Sequence, residues 1–305
     1  MRDTLWFTKS NGLNNAVDSV RLPYSPDTGI TDLAKAINVD FDITGRPSRR
    51  KGFSSTIINF GCHSLYSHGD TVLFVKADSN QLCQLHIGFE HTVLRSISGI
   101  VKVRYTAVGG RIFFVNGVDK GYVEEDSAYD WVMPTLQYKL DNTKAYSDPP
   151  NGTNIAYFNG RMYIVSETVC WYSEPFSLNH FNLSSNYLPF ESRIRMWLPV
   201  KTGIYVSTEE ETIFLSGTNP KEFEFTQVAN YPAIEGTDTV INGSSLLTDN
   251  KFVGKIGIWT STKGICIGLP DGTMINLTES KLNFPTPDCG SHGVIKDNYI
   301  SLLEI

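Results

Sequence analysis

Charge is scarce in this sequence. Only 19% of its 305 residues are Asp, Glu, Lys or Arg, and they leave a formal net charge of −6. With 41% hydrophobic and 12% aromatic residues beside them, this composition excludes a disordered chain, a coiled coil and a collagen-like rod. It also argues against chain-wide attraction to nucleic acid or an anionic membrane, which needs a basic domain or clustered Lys and Arg. Long apolar runs are missing: no stretch approaches the roughly 20 residues of a membrane span. Residues 1–10 lack the apolar centre of a secretory signal. The expectation is a soluble protein made in a cytosol. Cysteine is limited to Cys62, Cys83, Cys170, Cys266 and Cys289, an odd number without a C-x-x-C pair. Neither a disulfide framework nor a zinc ribbon is expected, and each cysteine reads as a reduced, buried small hydrophobe.

Helical periodicity is nearly as scarce. The one candidate is Thr31 to Ile37, where Thr31 and Asp32 can cap a short turn ahead of Leu33, Ala34, Ala36 and Ile37. What abounds is short runs of β-branched and aromatic residues: Thr71-Val-Leu-Phe-Val, Arg111-Ile-Phe-Phe-Val, Arg161-Met-Tyr-Ile-Val, Gly203-Ile-Tyr-Val-Ser-Thr and Gly257-Ile-Trp-Thr-Ser-Thr. A Gly- or Asn-containing turn precedes each, and several have a second strand a few residues on, so each unit carries a hairpin. With Val75, Val115, Val165, Val206 and Thr260 taken as equivalent, the repeat averages about 46 residues, the size of a propeller blade. The fold class is therefore all-β, a β-propeller. Setting aside residues 1–30 as an N-terminal arm and dividing 31–305 by the repeat predicts about six blades. N- and C-terminal strands would close the ring: a hairpin near residues 36–58 would begin a blade that the strand Tyr299 to Leu303 completes. The alternative is two β-sandwiches of about 150 residues, joined near Asp148-Pro-Pro-Asn-Gly-Thr153.

Motifs of catalysis are absent as sequence patterns: no G-x-S-x-G elbow, no phosphate-binding glycine loop after a strand, no H-E-x-x-H. Cys62, His63 and His68 lie near one another, but three local ligands without a downstream pair read as a turn rather than a zinc site. Glu124-Glu125-Asp126 and Glu209-Glu210-Glu211 fall between strands and read as solvated hairpin tips. Asp40, Asp42 and Thr44 ahead of Gly45 imitate the first half of a calcium loop. Lys51 stands where its last carboxylate belongs, and a β-turn explains the same residues. Trp131, Trp171, Tyr172, Trp197 and Trp259 read as blade packing. A sugar-cleaving propeller would need arginines and carboxylates gathered at the ring centre, and no blade motif of that kind is present. The expectation is no enzymatic centre, no cofactor and no metal.

The stretch Ala36-Ile-Asn38-Val-Asp40-Phe-Asp42-Ile-Thr-Gly45-Arg46-Pro-Ser-Arg49-Arg50-Lys-Gly52-Phe53 resembles a recurrent opening of bacteriophage tail proteins. In these an Asn/Asp strand and a glycine turn lead into a basic stretch that ends in glycine. Gly61-Cys-His63-Ser-Leu-Tyr66, Phe158-Asn-Gly160-Arg161-Met-Tyr163, Ser173-Glu174-Pro175 and Gly203-Ile-Tyr-Val-Ser-Thr208 with Phe214-Leu-Ser-Gly217 are similar to blade segments of the short-tail nozzle, tail hub or head-completion stabilisation proteins. The resemblance implies a structural virion protein of the tail, a ring-shaped homo-oligomer around the genome-ejection channel. Other tail or head-tail subunits would be its partners, and DNA would pass through only in transit. The alternative is a propeller that binds or cleaves carbohydrate in receptor recognition.

One feature of the opening suggests a contact surface. Arg46, Arg49, Arg50 and Lys51 put four cations immediately after the turn of an otherwise acidic chain. They are the expected subunit-docking residues, able to bind carboxylates of a neighbour bidentately; the plain alternative is a solvated hairpin arm.

Overall fold

Five times in succession the chain runs up and down through four antiparallel strands. The computed structural model describes residues 10–22, 24, 25, 29–42, 44–52, 60–98, 102–134, 141, 143–243, 254–283, 287–295 and 298–304. Ahead of the blades lie β1 (Gly12–Leu13), β2 (Tyr24–Ser25), β3 (Gly29–Ile30), β4 (Asp32–Leu33), β5 (Val39–Phe41) and β6 (Pro47–Arg49), paired β1 with β4, β2 with β3 and β5 with β6. Blade 1 is β7 (Cys62–His68), β8 (Thr71–Lys76), β9 (Gln81–Leu85) and β10 (His91–Ser96). Blade 2 is β11 (Arg104–Val108), β12 (Arg111–Val115), β13 (Lys120–Glu124) and β14 (Ser127–Asp130). Blade 3 is β15 (Asn154–Phe158), β16 (Arg161–Ser166), β17 (Val169–Glu174) and β18 (Ser177–Phe181), with β19 (Tyr187–Pro189) also paired to β17. Blade 4 is β20 (Ile194–Pro199), β21 (Gly203–Thr208), β22 (Thr212–Ser216) and β23 (Glu224–Ala229). Blade 5 is β24 (Thr239–Asn242), β25 (Lys255–Ser261), β26 (Gly264–Gly268) and β27 (Met274–Asn276), and a hairpin of β28 (Gly290–Ile295) and β29 (Asn298–Leu303) follows. The protein is an all-β propeller of five blades.

Val75, Val115, Val165, Val206 and Thr260 all fall in the second strand of a blade. The turns ahead of these strands explain why. Asn159 and Gly160 both have positive φ, 43° and 79°, which gives the twist a two-residue hairpin needs. The first strands touch in succession, β7 on β11, β11 on β15, β15 on β20 and β20 on β24, so they line the ring centre. The core is not one mass but layers between blades. Leu73, Val75, Val103 and Phe114 fill the layer between blades 1 and 2. Phe113, Trp131, Met162 and Ile164 fill the next; Tyr163, Tyr172, Trp197 and Val206 the third; Met196, Tyr205, Phe214 and Trp259 the fourth. Tyr205 also donates its hydroxyl to Leu269 O at 2.7 Å, and Gly268 leaves room for its ring, since a Cβ there would stand 2.5 Å from it.

Several expectations are corrected. The count is five blades, not about six, because dividing the length by the repeat counted the sequence before Cys62 and after Asn276 as a blade. Among the described residues the C-terminal strand does not pair with N-terminal sequence: β29 pairs β28 from Gly290↔Leu303 to Ile295↔Asn298, a local hairpin that costs little closure entropy. The N-terminal segment is pinned instead to the chain after β27. There Asn15 Nδ2 donates to Asn283 O at 2.7 Å, and Asn283 N donates to Asn15 Oδ1 at 2.8 Å. The hairpin placed near 36–58 is the short β5–β6 pair and begins no blade; residues 43 and 53–59 of that span lie outside the described residues. Thr31 to Ile37 forms no helix: Asp32–Leu33 pairs in parallel with Gly12–Leu13, and Asn14 Nδ2 bonds Asp32 Oδ2 at 2.8 Å, so tertiary partners override a weak local preference. Among the cysteines, Cys83, Cys170 and Cys266 are buried, whereas Cys62 is exposed and Cys289 half-buried. The stretch 148–153 is no domain linker: Gly152 O accepts from Gly117 N at 2.7 Å, joining blade 2 to blade 3.

Candidate functional site

Charged groups that are far apart in sequence meet at one end of the ring. First strands of successive blades run the same way, so their opening residues share that end. Arg104 opens β11 and Arg195 is the second residue of β20; Arg193 and Asp238 immediately precede β20 and β24. Arg104 Nη1 stands 3.6 Å from Asp238 Oδ1, linking blades 2 and 5, which are not consecutive and meet only across the ring centre. Arg193 Nη2 is 2.8 Å from Glu235 Oε2 and Arg193 Nε 4.0 Å from Glu167 Oε2. Arg195 Nη2 lies 3.8 Å from Glu209 and 3.6 Å from Asp288. Lys102 pairs with Glu304 and donates to Gly290 O at 3.3 Å.

Local backbone irregularity aims these groups. In β20 the ladder slips between Ile194 and Met196, leaving Arg195 as the extra residue of a bulge; in β7 it slips between His63 and Tyr66. Bulges re-aim side chains near functional sites. Ser64, in the second bulge, has φ 55°, and its Oγ accepts from Val103 N at 2.8 Å. Burial, and then the Lys102 ammonium, holds the His63 imidazole below its ordinary value. The Glu304 carboxylate raises the Cys289 thiol by accepting its hydrogen bond at 3.2 Å, so that sulfur stays a thiol and a poor nucleophile. Each arginine is thus engaged by carboxylates of its own chain, a network that ties four blades and the C-terminal hairpin together. Two of its atoms make no hydrogen bond. Asp238 Oδ1, on a side chain only 9% exposed, accepts no hydrogen bond, and Arg195 Nε is buried without an acceptor.

The predicted docking cations lie elsewhere, on β5–β6. Arg46, Arg49, Arg50 and Lys51 are all exposed. Arg50 Nε pairs with Asp40 Oδ1 at 2.8 Å; among the described residues the side chains of Arg46, Arg49 and Lys51 meet no carboxylate. The turn before them is built by Asp42, whose Oδ1 accepts from Thr44 N, Thr44 Oγ1 and Arg46 N at 2.8, 2.6 and 3.0 Å. The Thr44 hydroxyl bond, then the Arg46 amide, holds the Asp42 carboxyl below its usual range. Ser10 N donates to Gly45 O at 2.8 Å and fixes the arm at its base.

Other singled-out residues separate. Cys62, His63 and His68 share β7, and among the described residues no group of three or more His, Cys, Asp or Glu is placed to hold a metal ion. Glu124 pairs with Arg111 at 3.0 Å and Asp126 accepts from Gln84 at 2.7 Å, both at a hairpin tip. Trp131, Trp197 and Trp259 are buried core. The sequence reading missed Arg104, Arg193, Arg195 and Asp238. Their signal was position: each sits at or beside the start of a first strand, one short hairpin ahead of the repeated second strands.

Comparison with known proteins bears on the fold. No protein-family model and no curated protein matches this sequence. Among solved structures the chain is similar to a streptogramin B lyase, with TM-score 0.51 and 12% identity over 87% of this chain and 83% of that one. It is also similar to a gluconolactonase of Xanthomonas campestris, with TM-score 0.45 and 11% identity over 73% and 75%, and to the WD40 domain of Neurospora crassa Pan2, with TM-score 0.45 and 9% identity over 77% and 69%. At 12% identity the first likeness is one of fold alone. Its bearer is an enzyme by name, so the fold itself does not exclude catalysis.

Proposed function

We propose that this chain is a structural subunit of a bacteriophage tail, a hub, adaptor or nozzle component that assembles as a ring at the genome-ejection channel. In this reading it resides in the virion, its partners are other tail or head-tail subunits, and DNA meets it only in passing. The observation that carries the reading is a contrast between two sets of cations. The axial arginines are neutralised within the chain, whereas Arg46 and Arg49 stand exposed without an ion pair among the described residues, on a hairpin whose turn is hydrogen-bonded by Asp42. A cationic arm with a hydrogen-bonded turn suits docking on an acidic neighbour. The stretch that resembles tail openings is this same hairpin. Mass spectrometry of purified virions tests the reading: peptides of this chain belong in the particle, and their absence from intact virions overturns it.

The axial face favours a second reading, a propeller that binds or cleaves carbohydrate. Asp238 Oδ1, 3.6 Å from Arg104 Nη1, and Arg195 Nε are buried there without a hydrogen bond, and polar groups left so are candidates to meet a ligand. Glycan binding or hydrolysis by the purified chain, lost on Asp238→Asn, would support it; a purified chain inert toward host polysaccharide removes it.

A further inference from the structure

Where β19 of blade 3 meets the β21–β22 turn and β23 of blade 4, a groove of about 510 Å³ opens to solvent. Its floor is apolar and aromatic: the rings of Phe190 and Phe225 stand 6.0 Å apart, and Phe225 is 53% exposed. Its rim is acidic. Glu191 and Glu210 are exposed and have no cation partner among the described residues, while Glu211 accepts from Gln227 Nε2 at 2.6 Å. An exposed aromatic floor under unpaired carboxylates is a receptor for guanidinium groups, which can lie over a ring while donating to an oxygen.

The same chain carries the complementary element. We propose that the groove on blade 4 receives the β5–β6 arm of a second copy, with Arg46 and Arg49 directed to Glu191, Glu210 and the Phe225 ring, so that subunits associate head to tail. Three observations select this occupant. Arg46 and Arg49 are opposite in sign to Glu191 and Glu210, none of the four forms an ion pair among the described residues, and within one chain no described arm cation touches a described groove carboxylate. The arm is preorganised by three hydrogen bonds to Asp42 and one from Ser10, which lowers the entropy lost on docking. Arm and groove are different surfaces, so the contact is heterologous and repeats from copy to copy, as a ring or filament requires. The inference rests on the arm being a docking element, as in the tail reading, and not on the tail itself.

Sedimentation of the full chain tests it by charge exchange. At about 50 mM salt the wild type self-associates, and at about 500 mM the association weakens at least about tenfold, because exposed pairs are screened. Reversing either side, Arg46→Glu with Arg49→Glu or Glu191→Arg with Glu210→Arg, weakens it by about 100-fold, and an equimolar mixture of the two variants restores it. All four positions are exposed, and Arg46→Gln with Arg49→Gln, which adds no repulsion, gives an intermediate loss. A wild type that stays monomeric at low salt, a reversal without effect, or a mixture of folded variants that fails to associate overturns the proposal. The two readings fail separately. Association without virion peptides ends the tail reading alone; a monomer whose incorporation into particles depends on Arg46 and Arg49 ends self-docking alone.

Discussion

The layer between blades 3 and 4 and the seam between the C-terminal hairpin and blade 1 do the same job with different chemistry. The layer is dry and aromatic: Tyr163 and Trp197 are buried with their rings 5.6 Å apart, among Val165, Tyr172, Val206 and Leu215. The seam holds the Lys102–Glu304 pair and leaves a cavity of about 500 Å³ lined by Leu65 and Tyr66 on one side and Val294 and Tyr299 on the other. On its other flank the hairpin joins blade 5 through hydroxyls. Tyr299 Oη donates to Thr237 O at 2.5 Å, and Thr260 Oγ1 donates to Ser301 Oγ at 2.9 Å. Blades that follow one another in sequence are brought together by short connections and can bury apolar faces early. The seam joins residues from opposite ends of the chain, a non-local contact whose closure entropy comes first. The ring is accordingly weaker at its closure than between blades 3 and 4.

That comparison can be broken most directly in the dry layer. Trp197→Ala should cost about 3–5 kcal/mol, the range for removing a buried aromatic, read as a lower midpoint in denaturant unfolding; a loss below that of the seam variants would invert the ranking. At the hydroxyl junction, Tyr299→Phe keeps the ring and removes the hydrogen bonds of a half-buried residue's phenol. It should cost about 1–2 kcal/mol, and hydrogen exchange should rise first in β28–β29, before any blade.

At the seam, Lys102→Ala should cost less than about 1 kcal/mol, because the pair is solvent-screened. Its pH dependence has a definite sign. The Lys102 hydrogen bond, then that of the Cys289 thiol, holds the Glu304 carboxyl below the ordinary glutamate value. A depressed carboxyl contributes stability above the unfolded pKa and loses it as pH falls through the folded one. The difference between wild type and Lys102→Ala should therefore be present near neutrality and vanish in acid. A difference that grows on acidification would assign the contribution to another group. The smallest effect belongs to the arm: Arg46→Ala with Arg49→Ala should change stability by no more than about 0.5 kcal/mol, since both side chains are exposed. A large drop in melting temperature would make the arm part of the fold.

How much was legible varies with the range of the interaction. Val75, Val115, Val165, Val206 and Thr260 were found because second strands are dictated locally, by a turn of Gly or Asn and a run of β-branched and aromatic residues. The Asp40-to-Gly45 turn was legible for the same reason. Asp32 was misread as a helix cap because its partners, Asn14 and Lys281, lie in other segments. Cys289 was misread as apolar because Glu304, which accepts its hydrogen bond, comes from the last strand.

By itself, the sequence determined the all-β class, the repeated hairpin and the exposed basic arm, because backbone propensity, turn chemistry and the alternation of apolar side chains act over a few residues. Only the tertiary structure decided that there are five blades, that the C-terminal strand pairs with β28, and that Arg104, Arg193 and Arg195 meet Asp238, Glu235 and Asp288 at one end of the ring. Those outcomes depend on how blades stack around an axis, and stacking brings together positions whose separation along the chain carries no trace of their distance in space.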